Sequence, residues 1–160
     1  MRHSEDKQVF KIVSMKLNRK YKKLLNIKYE PIFYSIDPTN TPVEYYQGIA
    51  AYNIRDYNLA LRYFEKSNKN NPYHLMTLNN LGTCLEKTGN RKKALDIYRT
   101  ALDISPRFYD TLLNMSVLHY KMGDLRNALK FLAKCGDDCE DPRYREYFNI
   151  YKKEVKRENE

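Results

Sequence analysis

The sequence predicts an all-α protein built mainly from three repeated helix pairs. Five glycines and six prolines in 160 residues are few for a β-sandwich or barrel, which needs many tight turns. Apolar residues recur at spacings of three and four, as on the buried face of a helix. Residues 41–141 also repeat themselves at an offset of 34. With 42% hydrophobic and 31% charged residues, a disordered or low-complexity chain is excluded.

The repeat divides this region into residues 41–74, 75–108 and 109–141, each read as two helices. Small residues are expected where the two helices of a pair approach closely, and Tyr98 is expected to fill space toward the next pair. Gly89 and Gly123 are expected to take a left-handed conformation where the first helix ends. The columns, 34 positions apart, are Gly48, Gly82 and Ser116; Ala60, Ala94 and Ala128; Phe64, Tyr98 and Leu132; Ser67, Ala101 and Cys135; Pro72 and Pro106; Gly89 and Gly123.

A family resemblance rests on two motifs. They read Gly48…Tyr57…Ala60…Phe64…Pro72 and Leu78…Leu81-Gly82…Gly89…Ala94…Tyr98…Ala101…Pro106. With them, residues 41–142 resemble tetratricopeptide (TPR) repeats. The resemblance implies a right-handed superhelical solenoid of three TPR helix pairs. The chain departs from the family at Arg55, which replaces the first turn glycine, at Arg91, which replaces an apolar residue, and at Ser116 and Cys135 in the third repeat.

Residues 142–160 predict a C-terminal capping helix. Asp141 suits the N-cap position, and Pro142 suits the first helical position. Solenoids need a terminal helix with one apolar and one polar face, because the last repeat otherwise exposes its core. The apolar stripe is predicted to contain Tyr144, Phe148, Tyr151 and Val155, with Tyr147 flanking it.

The resemblance implies that the first helix of each pair lines a concave groove for a partner protein. The chain is therefore predicted to be an adaptor or scaffold that binds a peptide or helix of another protein. Alternatively, Tyr45 and Tyr52 pack against the N-terminal segment. The predicted groove residues are Tyr45, Ile49, Tyr52, Asn79, Asn80, Thr83, Leu113, Asn114, Val117 and Tyr120, with Glu86, Lys87, Asp110 and Lys121 beside them.

One ligand class of the family is disfavoured by the residues. Family members that hold the acidic C-terminal tails of heat-shock chaperones use a clamp of Lys, Asn, Asn, Lys and Arg. Only Asn80 agrees with that pattern, and Asp110 would repel a carboxylate. The matching positions are Tyr45, Ile49, Asn80, Asp110 and Asn114.

Residues 1–40 are predicted to form a basic helical extension and a proline-rich connector. Residues 1–30 carry nine Lys or Arg against three acidic residues, and residues 7–28 have helical apolar spacing. Four roles stay open for this helix: capping the first repeat, docking a partner protein, lying on an anionic membrane, or contacting nucleic acid. The last two form the alternative function, although no nucleic-acid motif supports the fourth. Its basic residues include Lys11, Lys16, Arg19, Lys20, Lys22 and Lys23.

The reactive side chains do not suggest an enzyme, a metal site or a cofactor. The three histidines are scattered, and His119 is predicted to be a packing or groove residue. Three cysteines without a signal-peptide pattern predict a reducing, cytoplasmic location. Cys84 and Cys135 are expected to be buried thiols, and Cys139 to be exposed. No apolar run is long enough to predict a transmembrane helix.

Overall fold

The fold is the predicted all-α solenoid. A computed structural model describes residues 41–136 and 141–158, and all regular structure in those ranges is helical. The predicted extension at residues 1–40 and Cys139 lie outside the described residues. The helices are α1 (Val43–Asn53), α2 (Tyr57–Asn70), α3 (Leu75–Lys87), α4 (Arg91–Ile104), α5 (Tyr109–Lys121), α6 (Leu125–Cys135) and α7 (Pro142–Glu158).

The helices form three antiparallel pairs, α1–α2, α3–α4 and α5–α6, each packed against the next, and α7 packs on the last pair. We call the first helix of a pair its A helix and the second its B helix. Short polar side chains cap the start of two of the three B helices, α2 and α6. Asp56 accepts a hydrogen bond from the Leu59 amide, and Asp124 accepts one from the Asn127 amide.

The turn inside each pair depends on one residue in the left-handed conformation. Gly89 and Gly123 have φ values of 86° and 78°, as predicted. In the first repeat Arg55 takes the same conformation with φ of 64°. A side chain there costs about 1–2 kcal/mol, so the first turn is less favourable than the other two.

Small residues on the A helices allow close contact with a ring on the B helix. A Cβ atom on Gly48 would lie 2.6 Å from Cε1 of Phe64, and one on Gly82 would overlap the ring of Tyr98. Tyr98 therefore packs over Gly82 of its own pair, and it belongs to the core cluster that also contains Met115 and Leu118 of the next pair. In the third repeat Ser116 occupies the position of these two glycines, and its hydroxyl donates a hydrogen bond to the Ala128 carbonyl at 2.7 Å.

The C-terminal helix closes the core of the third repeat, and one predicted stripe residue does not take part. Tyr151 is fully buried and stacks on Tyr120 with ring centroids 4.7 Å apart. Ile150 also packs on this core, whereas Phe148 is 42% exposed. The prediction for Phe148 is wrong because the contact face is centred on Tyr147 and Tyr151, which turns Phe148 toward solvent.

None of the helices in the described ranges is long and apolar enough to span a bilayer.

Candidate functional site

A groove of about 430 Å³ runs along the A helices and reaches the first two turns of α7. Its lining mixes amides, charged groups, aromatic rings and aliphatic side chains, so it can contact both the backbone and the side chains of a bound segment. The lining residues are Tyr52, Met76, Asn79, Asn80, Thr83, Glu86, Lys87, Asp110, Asn114, Val117, Lys121, Arg143 and Tyr147.

Two neighbouring repeat positions on the A helices have different roles. Tyr45, Asn79 and Leu113 share one position and are all buried. Leu113 is fully buried in the core of the third repeat, so its prediction as a groove residue is wrong. Tyr45 is 7% exposed and belongs to the core of the first two repeats, where it contacts the rings of Phe64 and His74. This position packs between helices and presents little surface to a ligand.

Asn79 joins the second repeat to the third. Its Oδ1 atom accepts a hydrogen bond from the Thr111 hydroxyl at 3.0 Å and another from the Asn114 amide at 2.9 Å. Thr111 is fully buried, and Asn79 is 6% exposed. Asn79 therefore fixes α3 against α5, although part of its side chain touches the groove.

The next position forms the polar floor of the groove. Asn80 and Asn114 are half-buried, 34 residues apart, and line the groove. Asn80 is hydrogen-bonded to the hydroxyl of Tyr45, whose pKa is raised chiefly by burial. Asn114 uses one amide proton on Asn79 and retains a second proton and a carbonyl oxygen for a ligand.

Apolar and aromatic side chains flank these amides. Val117 and Tyr52 line the groove, as the sequence predicts. Tyr52 also packs on Tyr57, with ring centroids 5.2 Å apart. Burial raises the pKa of the Tyr52 hydroxyl, which keeps it a neutral hydrogen-bonding group. Ile49 packs on the core of the first repeats, and Tyr120 stacks on Tyr151. Neither of these two predicted residues lines the groove.

Ion pairs cross the groove between elements. Lys121 on α5 donates to Glu86 on α3 at 2.6 Å. At the other end Arg143 of α7 lies 3.3 Å from Asp110 and 2.5 Å from Asp141. The hydrogen bond from Arg143 lowers the pKa of Asp141. These contacts neutralise most of the charge in the groove.

Sequence reasoning missed three lining residues, Met76, Arg143 and Tyr147. Met76 precedes Asn80 by one helical turn and shares its face, a spacing that could have identified it. Arg143 and Tyr147 come from α7, and no repeat periodicity connects that helix to the groove. Only the packing of α7 against α5 brings them there.

The remaining singled-out side chains have structural partners. His119 is 7% exposed, stacks on Phe131 and lies 3.0 Å from Asp124. It is a packing residue, in agreement with one of the two roles predicted for it. Cys84 and Cys135 are fully buried, as predicted. Among residues 41–136 and 141–158, no three His, Cys, Asp or Glu side chains converge as metal ligands.

Comparison with known proteins agrees with this architecture. The family model for the tetratricopeptide repeat matches residues 46–107. The packing of small A-helix residues against B-helix rings is repeated in the same interval, and the predicted family is confirmed. Residues 46–107 of the chain are therefore built from tetratricopeptide repeats.

Two kinds of relatives are similar in sequence. The uncharacterized protein ycf37 of Guillardia theta is 34% identical over 96 residues, which are 58% of this chain and 54% of that protein. The photosystem I assembly protein Ycf3 of Prochlorococcus marinus strain NATL1A is 35% identical over 82 residues, 49% of this chain and 47% of that protein. The chain thus spans about half the length of the curated relatives it matches.

Solved structures show the same fold at lower identity. YrrB, described as a TPR protein with an unusual peptide-binding site, superposes with a TM-score of 0.62 at 21% identity, over 68% of this chain and 56% of YrrB. MamA from Desulfovibrio magneticus RS-1, from residue 41 to its end, gives a TM-score of 0.62 at 24% identity, over 76% of this chain and 68% of that one. These similarities concern the fold.

Proposed function

We propose that this protein is an adaptor that binds an extended segment of a partner protein in the groove along its A helices. The observation that carries the proposal is the pair of half-buried amides, Asn80 and Asn114, at equivalent positions of consecutive A helices. An amide side chain can donate to and accept from a peptide backbone. Two of them one repeat apart can hold an extended chain with little dependence on its side chains.

The rest of the groove supplies side-chain contacts. Val117, Met76 and Tyr147 offer apolar surface on both sides of the amides. Because Glu86 is paired with Lys121 and Asp110 with Arg143, a strongly acidic or strongly basic ligand would have to compete with these ion pairs. We therefore infer a ligand of mixed or low charge. An acidic chaperone tail does not fit this description.

The names of similar proteins agree with a binding role. Ycf3 is named an assembly protein for photosystem I, and YrrB is described by its peptide-binding site. We propose a role of the same general kind for this chain, namely protein recognition without catalysis. The reducing, cytoplasmic location stays a prediction. The alternative function, surface binding through residues 7–28, stays a prediction because those residues lie outside the described ranges.

Selection of displayed random peptides on the intact chain tests the proposal. A selected peptide is titrated by calorimetry against wild type and against Asn80→Ala/Asn114→Ala. Each lost hydrogen bond is worth about 0.5–1.5 kcal/mol, so we expect affinity to fall roughly five- to a hundredfold. The matched control is Asn58→Ala/Asn149→Ala, which removes two exposed amides outside the groove. The control should bind like wild type.

Full affinity in a folded double variant would place the binding surface elsewhere, and circular dichroism shows whether the variant is folded. The salt dependence of binding distinguishes groove binding from the alternative function. Groove binding should weaken modestly between low and moderate salt, whereas binding to phosphates through residues 7–28 should collapse. The proposal would be contradicted if deletion of residues 1–40 abolished peptide binding while Asn80→Ala/Asn114→Ala bound like wild type.

A further inference from the structure

The turns between A and B helices form one edge of the solenoid. Residues 54–58 of the first turn line a shared hollow with Lys87 and Thr88 at the end of α3. The pair between Glu86 and Lys121 brings the ends of α3 and α5 together. The three turns therefore lie in a row. We call residues 54–58, 87–93 and 121–126 the turn edge.

The turn edge is strongly basic. It contains seven basic residues and two acidic ones, Asp56 and Asp124. Both acidic side chains accept a hydrogen bond from a backbone amide at the start of a B helix, and this bond partly compensates their negative charge. Apart from Lys121, no basic residue of this edge forms an ion pair with a described residue. The seven are Arg55, Lys87, Arg91, Lys92, Lys93, Lys121 and Arg126, all exposed.

The opposite edge differs. The windows around the turns between B and A helices, residues 69–75, 103–110, 134–136 and 141–143, hold four basic and three acidic residues. The charge is thus concentrated on one edge of the repeat region. Arg91 contributes to it at a repeat position that Tyr57 and Leu125 occupy in the other two pairs.

Two exposed apolar side chains stand among these cations. Ile54 is 39% exposed and Met122 is 43% exposed. They occupy the same position of the first and third repeats, directly before the left-handed turn residues Arg55 and Gly123. An anionic bilayer surface can make two kinds of contact with this row of turns. The basic side chains can bind the charged headgroups, and the apolar side chains can contact the acyl chains.

We propose that the turn edge docks the protein on an anionic lipid surface, with Ile54 and Met122 entering the boundary between headgroups and acyl chains. This surface meets the peptide groove at Lys87 and Lys121, whereas the groove amides Asn80 and Asn114 lie outside it. Single-stranded nucleic acid would favour exposed aromatic side chains for stacking on bases. The exposed apolar side chains of this edge are aliphatic or thioether groups, which favours lipid.

Because the sequence contains no tryptophan, a single introduced tryptophan reports on contact with a bilayer. In the intact chain, Met122→Trp should shift its emission to shorter wavelength with vesicles of equal phosphatidylserine and phosphatidylcholine. It should not shift with pure phosphatidylcholine. The control is Tyr73→Trp, because Tyr73 is 48% exposed on the opposite edge. An unshifted Met122→Trp in a protein that sediments with the vesicles would overturn the proposal, as would equal shifts in the two variants.

Charge reversal separates the turn edge from the basic residues at 1–30. In the intact chain we compare Arg91→Glu/Lys92→Glu/Arg126→Glu with the matched set Lys66→Glu/Lys69→Glu/Lys134→Glu, which changes net charge equally on exposed positions farther along the B helices. The first set places acidic residues in the first turn of α4 and α6, which helix dipoles favour, so folding is retained. Near an anionic surface each basic residue contributes about a fivefold gain in binding. Loss of the three positive charges alone should therefore lower the affinity for vesicles roughly a hundredfold, and the three added negative charges should lower it further.

Each outcome decides the proposal. A large loss in the first set with a small loss in the matched set supports the turn edge. Equal losses would show that net charge or residues 1–30 drive binding, and no vesicle binding by wild type would also overturn the proposal. Binding to a DNA duplex that the first set abolishes, without binding to vesicles, would assign the edge to nucleic acid. None of these results changes the outcome of the peptide titration.

Discussion

Single small residues determine how closely the two helices of a pair approach. Gly48 faces Phe64 and Gly82 faces Tyr98, with no room for a methyl group at either glycine. The third pair combines Ser116 with the smaller Leu132 and keeps the serine hydroxyl bonded to a carbonyl. The first two pairs therefore depend on glycine because a ring lies opposite it.

We expect Gly82→Ala to destabilise the fold by about 1–3 kcal/mol, because the added methyl overlaps the Tyr98 ring in a packed core. Tyr98→Leu removes the ring and should also destabilise the protein, by loss of buried contacts. Combining the two should cost less than the sum of the single costs, since leucine makes room for the methyl group. Urea unfolding of the four proteins measures this coupling. Additive costs would show that the two side chains do not share this space.

Thiol reactivity tests burial at the same scale. Burial raises the pKa of Cys84 to about 12, so its thiolate fraction at pH 8 is on the order of 10⁻⁴. The thiolate is the reactive form, so reactivity should be lost as pH falls below that pKa. Cys135 is also fully buried. An aromatic disulfide reagent at pH 8 should therefore modify one of the three thiols in native protein and all three in denaturant.

The sequence predicts that the reactive thiol is Cys139, which lies outside the described residues. Cys139→Ser supplies the control, because this variant should show no rapid reaction before unfolding. Rapid native modification of Cys84 or Cys135 would contradict the observed helix packing.

At the scale of elements, the capping helix covers the last repeat through a small number of rings. Tyr151 lies between Tyr120 and Tyr147, stacked on both. Phe148 stacks on Tyr144, yet it remains 42% exposed. The contribution of α7 to stability therefore comes from one face, and neighbouring aromatic residues on the helix contribute unequally.

Tyr151→Ala should destabilise the protein by about 3–5 kcal/mol, the range for truncating a large buried side chain in a core. Phe148→Ala, which removes a comparable ring from the same helix, should cost less, about 1–2 kcal/mol, because 42% of Phe148 remains in contact with water. Thermal unfolding followed by circular dichroism compares the two. Similar losses in the two variants would mean that α7 packs through a different face.

At the scale of the whole molecule, each repeat contacts only its neighbours. The described contacts run from α1–α2 to α3–α4, then to α5–α6 and α7, and only α7 ends the described chain without a following pair. In such one-dimensional proteins stability is a sum of local terms and nearest-neighbour interfaces. Local opening can therefore begin at an end and spread inward.

We expect hydrogen exchange to be fastest in α7 and slowest in α3 and α4, which have a complete repeat on both sides. Tyr151→Ala should accelerate exchange in α5, α6 and α7 more than in α1 and α2, since the lost contact belongs to the third repeat. Mass spectrometry of proteolytic fragments measures both effects. Uniform acceleration over all seven helices would show that the solenoid opens as a single unit.

The sequence by itself determined the repeat, the helix pairs, the left-handed glycines and the buried alanines, because each depends on local chemistry that recurs every 34 residues. Tertiary structure alone decided which of two adjacent residues faces the groove. Neighbours on a helix point about 100° apart. Asn79 and Asn80 both lie near the boundary of the concave face, and the contact of α3 with α5 turns Asn79 inward onto Thr111. Arg143 enters the groove for the same reason, through the docking of α7, which no periodicity specifies.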